Sequence, residues 1–168
     1  SALEAGKLSI HPQNLNLKNF LSAETDKYTS LLNDKKLSWR ISIPESLPLV
    51  QADPDRLSQV FANLVTNAVR YAPEGSAIVL KLNHGKNFVT VSVSDSGPGI
   101  APEDLPHIWE RFYRADKSRS RHYGGSGLGL FITRNLVHAM GGDITVESLP
   151  GKGATFSFTI PVSDSKNH

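Results

Sequence analysis

Apolar positions recur at two different periods along the chain, and the switches between those periods mark out its elements. Over residues 17–36, Leu17, Phe20, Leu21, Tyr28, Leu31 and Leu32 fall at helical spacing and predict one amphipathic helix. Leu37, Trp39, Ile41 and Ile43 then alternate with polar residues, which predicts a strand ended by Pro44, and residues 49–52 predict a second, short strand. Asp53-Pro54 has the form of an N-cap followed by proline at the first helical position. The helix it opens is predicted to reach about Tyr71, ahead of Pro73 and Gly75, with Leu57, Val60, Phe61, Leu64, Val65, Ala68 and Val69 as its buried stripe. Residues 77–83 and 88–95 alternate with period two around His84-Gly85-Lys86-Asn87, the pattern of a hairpin. A short helical piece is predicted over 102–111. A run without periodicity follows over 114–123, and a helix leaves the glycine-rich residues 124–129 and stops at Gly141-Gly142. That helix is apolar nearly all round and is predicted to be buried on every side. Two strands, 143–148 and 154–160, close the pattern across Pro150-Gly151-Lys152-Gly153. Ahead of all this, the first sixteen residues predict the tail of an upstream element and an edge strand lying before His11-Pro12.

Composition narrows the classes. With 168 residues, 39% hydrophobic and 20% charged, the chain is long enough for one soluble domain with a real core. A net charge of +2 implies no field suited to nucleic acid. Basic residues bunch locally at Arg111, Arg114, Lys117, Arg119 and Arg121, a cluster that suits a small anion. The absence of cysteine removes disulfide frameworks and thiolate metal sites. No apolar run is long enough to span a bilayer, and the start lacks a signal-peptide pattern.

Four features carry candidate chemistry. Val89, Val91 and Val93 point one way along a strand and Asp95 continues their face, so its carboxylate is aimed at a core or a pocket and needs donors. Gly97 and Gly99 follow; taken alone, Asp-Ser-Gly-Pro-Gly also reads as a plain turn. The second feature is Gln59, Asn63, Asn67 and Arg70, which line up on one ridge of the Asp53-capped helix. Such a ridge is either simply solvated or offers carboxamide oxygens to a hard cation, with Arg70 reaching phosphate. Third, residues 124–129 run into a helix N-terminus, either a flexible hinge or a phosphate site of exposed amides. This loop is neither a Walker A sequence nor a dinucleotide fingerprint. The basic run is the fourth. No histidine has metal-ligand spacing, and neither Ser96 nor Ser126 sits in a nucleophile elbow.

Together these segments resemble a known family. Residues 55–71, Asp55-Arg-Leu-x-Gln-Val-Phe-x-Asn63-Leu-x-x-Asn67-Ala-x-Arg70-Tyr71, are similar to the asparagine box of the catalytic and ATP-binding domain of bacterial sensor histidine kinases. Asp95-Ser-Gly-Pro-Gly99-Ile100 resembles its first glycine box, Trp109-Glu-Arg-Phe112-Tyr-Arg114 its phenylalanine box, Gly125-Ser-Gly127-Leu-Gly129-Leu its second glycine box and Gly151-Lys-Gly153-Ala-Thr155-Phe a third. The superfamily (GHKL) also holds type II topoisomerases, ninety-kilodalton chaperones and mismatch-repair ATPases. The resemblance implies an α+β two-layer sandwich, the Bergerat ATP-binding fold, with a mixed five-stranded sheet covered on one face by three main helices and a mobile ATP lid over 114–123. It implies a catalytic domain over 7–162, preceded at 1–6 by the end of a dimerisation helix and followed by a polar tail at 163–168.

By the same resemblance Asp95 accepts from the adenine amine, Gly97, Gly99 and Ile100 line the base and Tyr71 packs on it. Asn67 coordinates Mg2+, Asn63 and Arg70 face the phosphates, and Gly125, Gly127, Leu128 and Gly129 present the phosphate loop, with Phe112 and Arg119 completing the ATP-contacting set. Thr155 would join the adenine network, although strand parity sets it opposite Phe156, Phe158 and Ile160. The implied cofactors are ATP and Mg2+. The implied partners are the kinase's own dimerisation and histidine-phosphotransfer domain and a response regulator, with no nucleic acid and no direct membrane contact, in the cytoplasm beneath a parent that could be membrane-anchored. Hydrolysing members carry a glutamate base where this chain has Asn63, and asparagine is no base at neutral pH. The phosphoacceptor histidine context is absent from the chain, so the fragment is expected not to phosphorylate itself. Competing classes are a stand-alone ATPase switch and a nucleotide-free interaction module.

Overall fold

The computed structural model describes residues 8–113 and 129–164. Its largest helix, α3 (Pro54–Tyr71), forms where the sequence demands it: Asp53 is its N-cap, accepting from the amides of Asp55 and Arg56, and Pro54 occupies the first turn. The Asp53 carboxylate also accepts the His11 N–H at 2.9 Å, so it ties the N-terminal strap to the helix start. Burial works against ionisation there, yet the three N–H donors and the Arg56 charge outweigh it and hold the carboxyl below its ordinary range. The seven residues predicted for the stripe of α3 are the seven that are buried.

Five strands form a mixed sheet in the order β2-β4-β5-β7-β6. β2 (Ser38–Ser42) runs parallel to β4 (Ala77–His84); β5 (Phe88–Asp95), β7 (Ala154–Pro161) and β6 (Ile144–Ser148) add antiparallel. Period two sorts the faces. Ile78, Leu80 and Leu82 of β4, Val89, Val91 and Val93 of β5, and Phe156, Phe158 and Ile160 of β7 are buried in one cluster. Leu17 and Leu21 of α1 (Leu17–Asp26), Leu32 of α2 (Thr29–Asp34), the α3 stripe, and Leu136 and Val137 of α4 (Gly129–Ala139) complete that cluster. The opposite face carries hydroxyls, paired across strands as Ser92–Ser157 and Ser94–Thr155 at 2.8 Å each. The fold is therefore the two-layer α+β sandwich expected, with the sheet covered on one side.

Four local expectations are corrected. The helix expected over 17–36 is two helices, because the apolar stripe is interrupted at Glu24 and Thr25. Glu24 is buried and accepts from Ser58 and Lys27, the chain tightens through Lys27 and Tyr28, and α2 ends at Asp34, with Lys36 beyond it at φ 58°. The N-terminal strand lies after Pro12, not before His11: β1 (Gln13–Leu15) pairs with β3 (Val50–Ala52), placing Leu15 opposite Val50. The piece over 102–111 is a series of turns with one 3-10 turn at Leu105–His107. Last, α4 is buried on one face only. Thr133, Leu136 and Val137 face inward, whereas Arg134 and His138 are exposed, and His138 pairs with Asp143 at 3.0 Å. The hairpin turn at 84–87 and the glycine stop at Gly141-Gly142 are as predicted.

Candidate functional site

β5 ends at Asp95 beside the last turn of α3, and the contact between them is backbone on backbone. A Cβ at Gly97 would sit 2.5 Å from the Tyr71 carbonyl oxygen and 2.8 Å from Asp95 Oδ1, so only glycine fits between the helix end and the carboxylate. The Gly97 N–H donates to Asp95 Oδ1 at 2.8 Å. Gly99 has φ +76°, and a Cβ there would meet the Leu149 carbonyl oxygen at 2.3 Å. Ile100 N–H donates to Ser148 Oγ at 2.7 Å, and Gly151 N–H to the Pro98 carbonyl at 2.7 Å, so the turn after β5 is stitched to the β6–β7 turn. Burial pushes the Asp95 carboxyl above its ordinary range, against the opposing pull of the Gly97 and Ala154 amides and the Lys35 charge. The carboxylate is thus half-buried and held by two backbone amides at the end of β5.

Along α3, Asn63, Asn67 and Arg70 are half-buried and Tyr71 is 40% exposed. Asn63 Nδ2 donates to Thr133 Oγ1 at 3.0 Å and to the Gly129 carbonyl at 3.4 Å, which binds the middle of α3 to the start of α4. Asn67 lies one turn further along α3, toward Tyr71. Among the described residues there is no cluster of three or more His, Cys, Asp or Glu that could cage a metal. The donor set fits a magnesium ion held chiefly by phosphate oxygens and water with one carboxamide oxygen, since Mg2+ keeps most of its ligands outside the protein.

The structure thus brings Tyr71, Asp95, Gly97, Gly99 and Ile100 together at one end of α3, and Asn63 and Gly129 at its middle. Phe112 is 62% exposed with φ 64°. Its segment is nevertheless anchored: Trp109 meets Phe156 edge-on at 5.8 Å, Arg111 lies 5.2 Å from the Phe131 ring and Tyr113 donates to Asp104, the bond that pushes the Tyr113 hydroxyl up to about 12. Arg119, Gly125, Gly127 and Leu128, with the expected lid over 114–123, lie outside the described residues. Thr155 is on the hydroxyl face, bonded to Ser94, as strand parity required.

Several participants carried no signal. Ser148 sits at an ordinary strand end, yet its hydroxyl accepts from Ile100 and donates to the Gly153 carbonyl at 2.8 Å. Thr133 looked like a helix-interior residue, and its contact with Asn63 spans 70 positions. Lys35 fell near the end of the helix expected over 17–36; its ammonium donates to the Val69 and Arg70 carbonyls at 2.8 and 3.0 Å.

The family model described as "Histidine kinase-, DNA gyrase B-, and HSP90-like ATPase" matches residues 52–164. The sensor histidine kinase WalK of Bacillus subtilis is 35% identical over 152 residues, an alignment covering 89% of this chain and 25% of WalK. The signal transduction histidine-protein kinase BarA of Escherichia coli is 38% identical over 165 residues, covering 95% of this chain and 18% of BarA. The chain therefore spans a quarter or less of these two relatives. Full-length ShkA, solved in complex with AMPPNP, superposes with a TM-score of 0.83 at 28% identity, over 97% of this chain and 34% of that one.

Proposed function

The chain belongs to the family of histidine kinase-, DNA gyrase B- and HSP90-like ATPases, and from that premise we propose that it binds Mg-ATP with adenine at Asp95 and passes the γ-phosphoryl group to a histidine on a separate helical domain. The observation that carries this is the backbone-tight junction of Tyr71, Gly97 and Asp95, which leaves a half-buried acceptor at the helix end while the Asn63/Asn67/Arg70 ridge runs away from it. Adenine presents an exocyclic amine where guanine presents a carbonyl, so an acceptor at Asp95 selects the base. Tyr71 and Ile100 flank the ring, and Gly97 and Gly99 hold the turn beside it tightly against the Tyr71 and Leu149 carbonyls.

One turn back, Asn67 supplies an oxygen to Mg2+, which neutralises phosphate charge when bound. Arg70, with the Asn63 face, is turned to the phosphates, and by the family resemblance Gly125, Gly127, Leu128, Gly129 and Arg119 would join the phosphate contacts. The transfer is in-line: an imidazole nitrogen forms a bond to the γ-phosphorus as the bond to the ADP oxygen breaks, and the imidazole proton leaves to solvent. This chain's contribution is positioning and charge, with no covalent intermediate of its own. Asn63 cannot take a proton from water, and its amide is engaged with Thr133, so phosphoryl transfer is favoured over hydrolysis. The partners are the dimerisation and phosphotransfer domain and, downstream, a response regulator, in the cytoplasm. No helix among the described residues is long and apolar enough to cross a membrane.

The test mixes the chain with γ-labelled ATP, with and without the helical domain of its parent kinase. Acid-labile phosphohistidine on the helical domain only is expected. Label on this chain alone, or steady phosphate release without transfer, contradicts the proposal.

A further inference from the structure

Lys35 follows α2 and precedes β2, 34 and 35 positions from the α3 residues whose carbonyls it meets. Its ammonium nonetheless reaches two carbonyls of the last turn of α3, Val69 at 2.8 Å and Arg70 at 3.0 Å. The final four carbonyls of a helix lack intrahelical donors and carry the negative end of its dipole, so a cation there satisfies both needs. The next carbonyl along, that of Tyr71, is the one against which Gly97 is packed, and Gly97 in turn donates to Asp95. The contacts form a continuous series from Lys35 through the helix end and the turn glycine to the carboxylate. Among the described residues, Lys35 is also the charged side chain whose field acts on Asp95; the other groups facing it are the backbone amides of Gly97 and Ala154.

We propose that Lys35 is a positioning residue of the nucleotide site, clamping the end of α3 that carries Arg70 and Tyr71 and setting a positive charge within reach of Asp95. This rests on the reading of Asp95 as the adenine acceptor. Lys35 touches no ligand in this account. It fixes the distance between Tyr71 and the turn after β5, and it favours the ionised form of an acceptor that burial disfavours. A neutral side chain of similar length loses both effects, whereas arginine retains the charge and the donors.

The experiment compares the chain with Lys35→Met and Lys35→Arg by two measurements: carbon NMR titration of the Asp95 carboxyl without nucleotide, and calorimetric titration with ATP in the presence of Mg2+. Lys35→Met is expected to move the Asp95 midpoint upward and to weaken ATP by about tenfold, in line with losing a charge-assisted cap. Lys35→Arg restores both, and Lys86→Met, on the distant hairpin, changes neither. Should Lys35→Met fail to fold, Lys35→Gln serves on the same two measurements. An Asp95 midpoint unmoved by loss of the Lys35 charge, or ATP affinity equal to wild type when the midpoint has moved, overturns the role given to Lys35. A wild-type chain that binds no adenine nucleotide overturns instead the reading of the site, and the Asp95 titration distinguishes the two failures.

Discussion

Replacing Gly97 by alanine probes the junction on which the site depends. The added methyl would lie 2.5 Å from the Tyr71 carbonyl oxygen, 3.1 Å from its carbonyl carbon and 2.8 Å from Asp95 Oδ1. Against an ordinary contact beginning at 3.4 Å, the methyl is roughly 0.9 Å too close to the helix end and roughly 0.6 Å too close to the carboxylate. The first obstacle is backbone whose preceding carbonyls are held by Lys35, so relief must come from the turn after β5. Shifting that turn lengthens the 2.8 Å bond from Gly97 N–H to Asp95 and displaces the acceptor. Overpacking of this kind costs about 1–3 kcal/mol, which for a chain of this size lowers the melting temperature by roughly 2–12 °C. A displacement approaching 1 Å at a positioning group weakens productive binding by about ten- to a hundredfold. Differential scanning calorimetry and ATP titration read the two effects. Gly85→Ala is the reference, because its methyl meets nothing closer than the Phe88 carbonyl at 3.9 Å. If Gly97→Ala binds ATP and melts like Gly85→Ala, the junction does not position the acceptor and the reasoning fails.

Further outcomes are expected at Asp95 and Asp53. Asp95→Asn should weaken ATP by about ten- to a hundredfold, from the loss of a charged acceptor, and should remove the preference for adenine in parallel titrations with GTP. Because burial raises the Asp95 carboxyl, its ionised form is lost as pH falls through a value above the ordinary carboxylate range; wild-type ATP affinity should decline across that window and the Asp95→Asn profile should be flatter. Asp53→Ala removes the cap of α3 and the acceptor for His11 N–H, at a cost of about 1–2 kcal/mol in denaturant melts at neutral pH. Since the folded carboxyl of Asp53 lies below its ordinary value, this contribution is fully present above the unfolded value and disappears as pH falls through the folded one, so the gap to wild type should close in acid.

Where sequence and structure agree, the deciding physics is local. The Asp53-Pro54 start of α3, its stripe from Leu57 to Val69, and the alternation of β4, β5 and β7 follow from capping and periodicity alone. Thr155 was sorted to the outer face by parity, and its bond to Ser94 agrees. The failures have a common origin in partners distant along the chain. Glu24, in the last turn of α1, is buried against Ser58, 34 positions away, and β1 forms after Pro12 because Val50–Ala52 is there to pair with it. The α4 sequence is apolar nearly all round, yet only the side that meets the sheet and α3 is buried. In the site, Asp95 and the glycines of its turn were legible because a carboxylate on an apolar face and a tight turn are local signals. Lys35, Thr133 and Ser148 were not, since each acts through a bond whose other end only folding brings near.

The central claim, that the Asp95 end of the α3 ridge holds adenine, is tested most directly by calorimetric titration of the unmodified chain with ATP and with GTP, each with Mg2+ at neutral pH. Saturable ATP binding is expected, with GTP weaker by about a hundredfold or more, because a half-buried acceptor is left facing the guanine carbonyl. Equal affinity for the two nucleotides, or no binding of ATP, would contradict it.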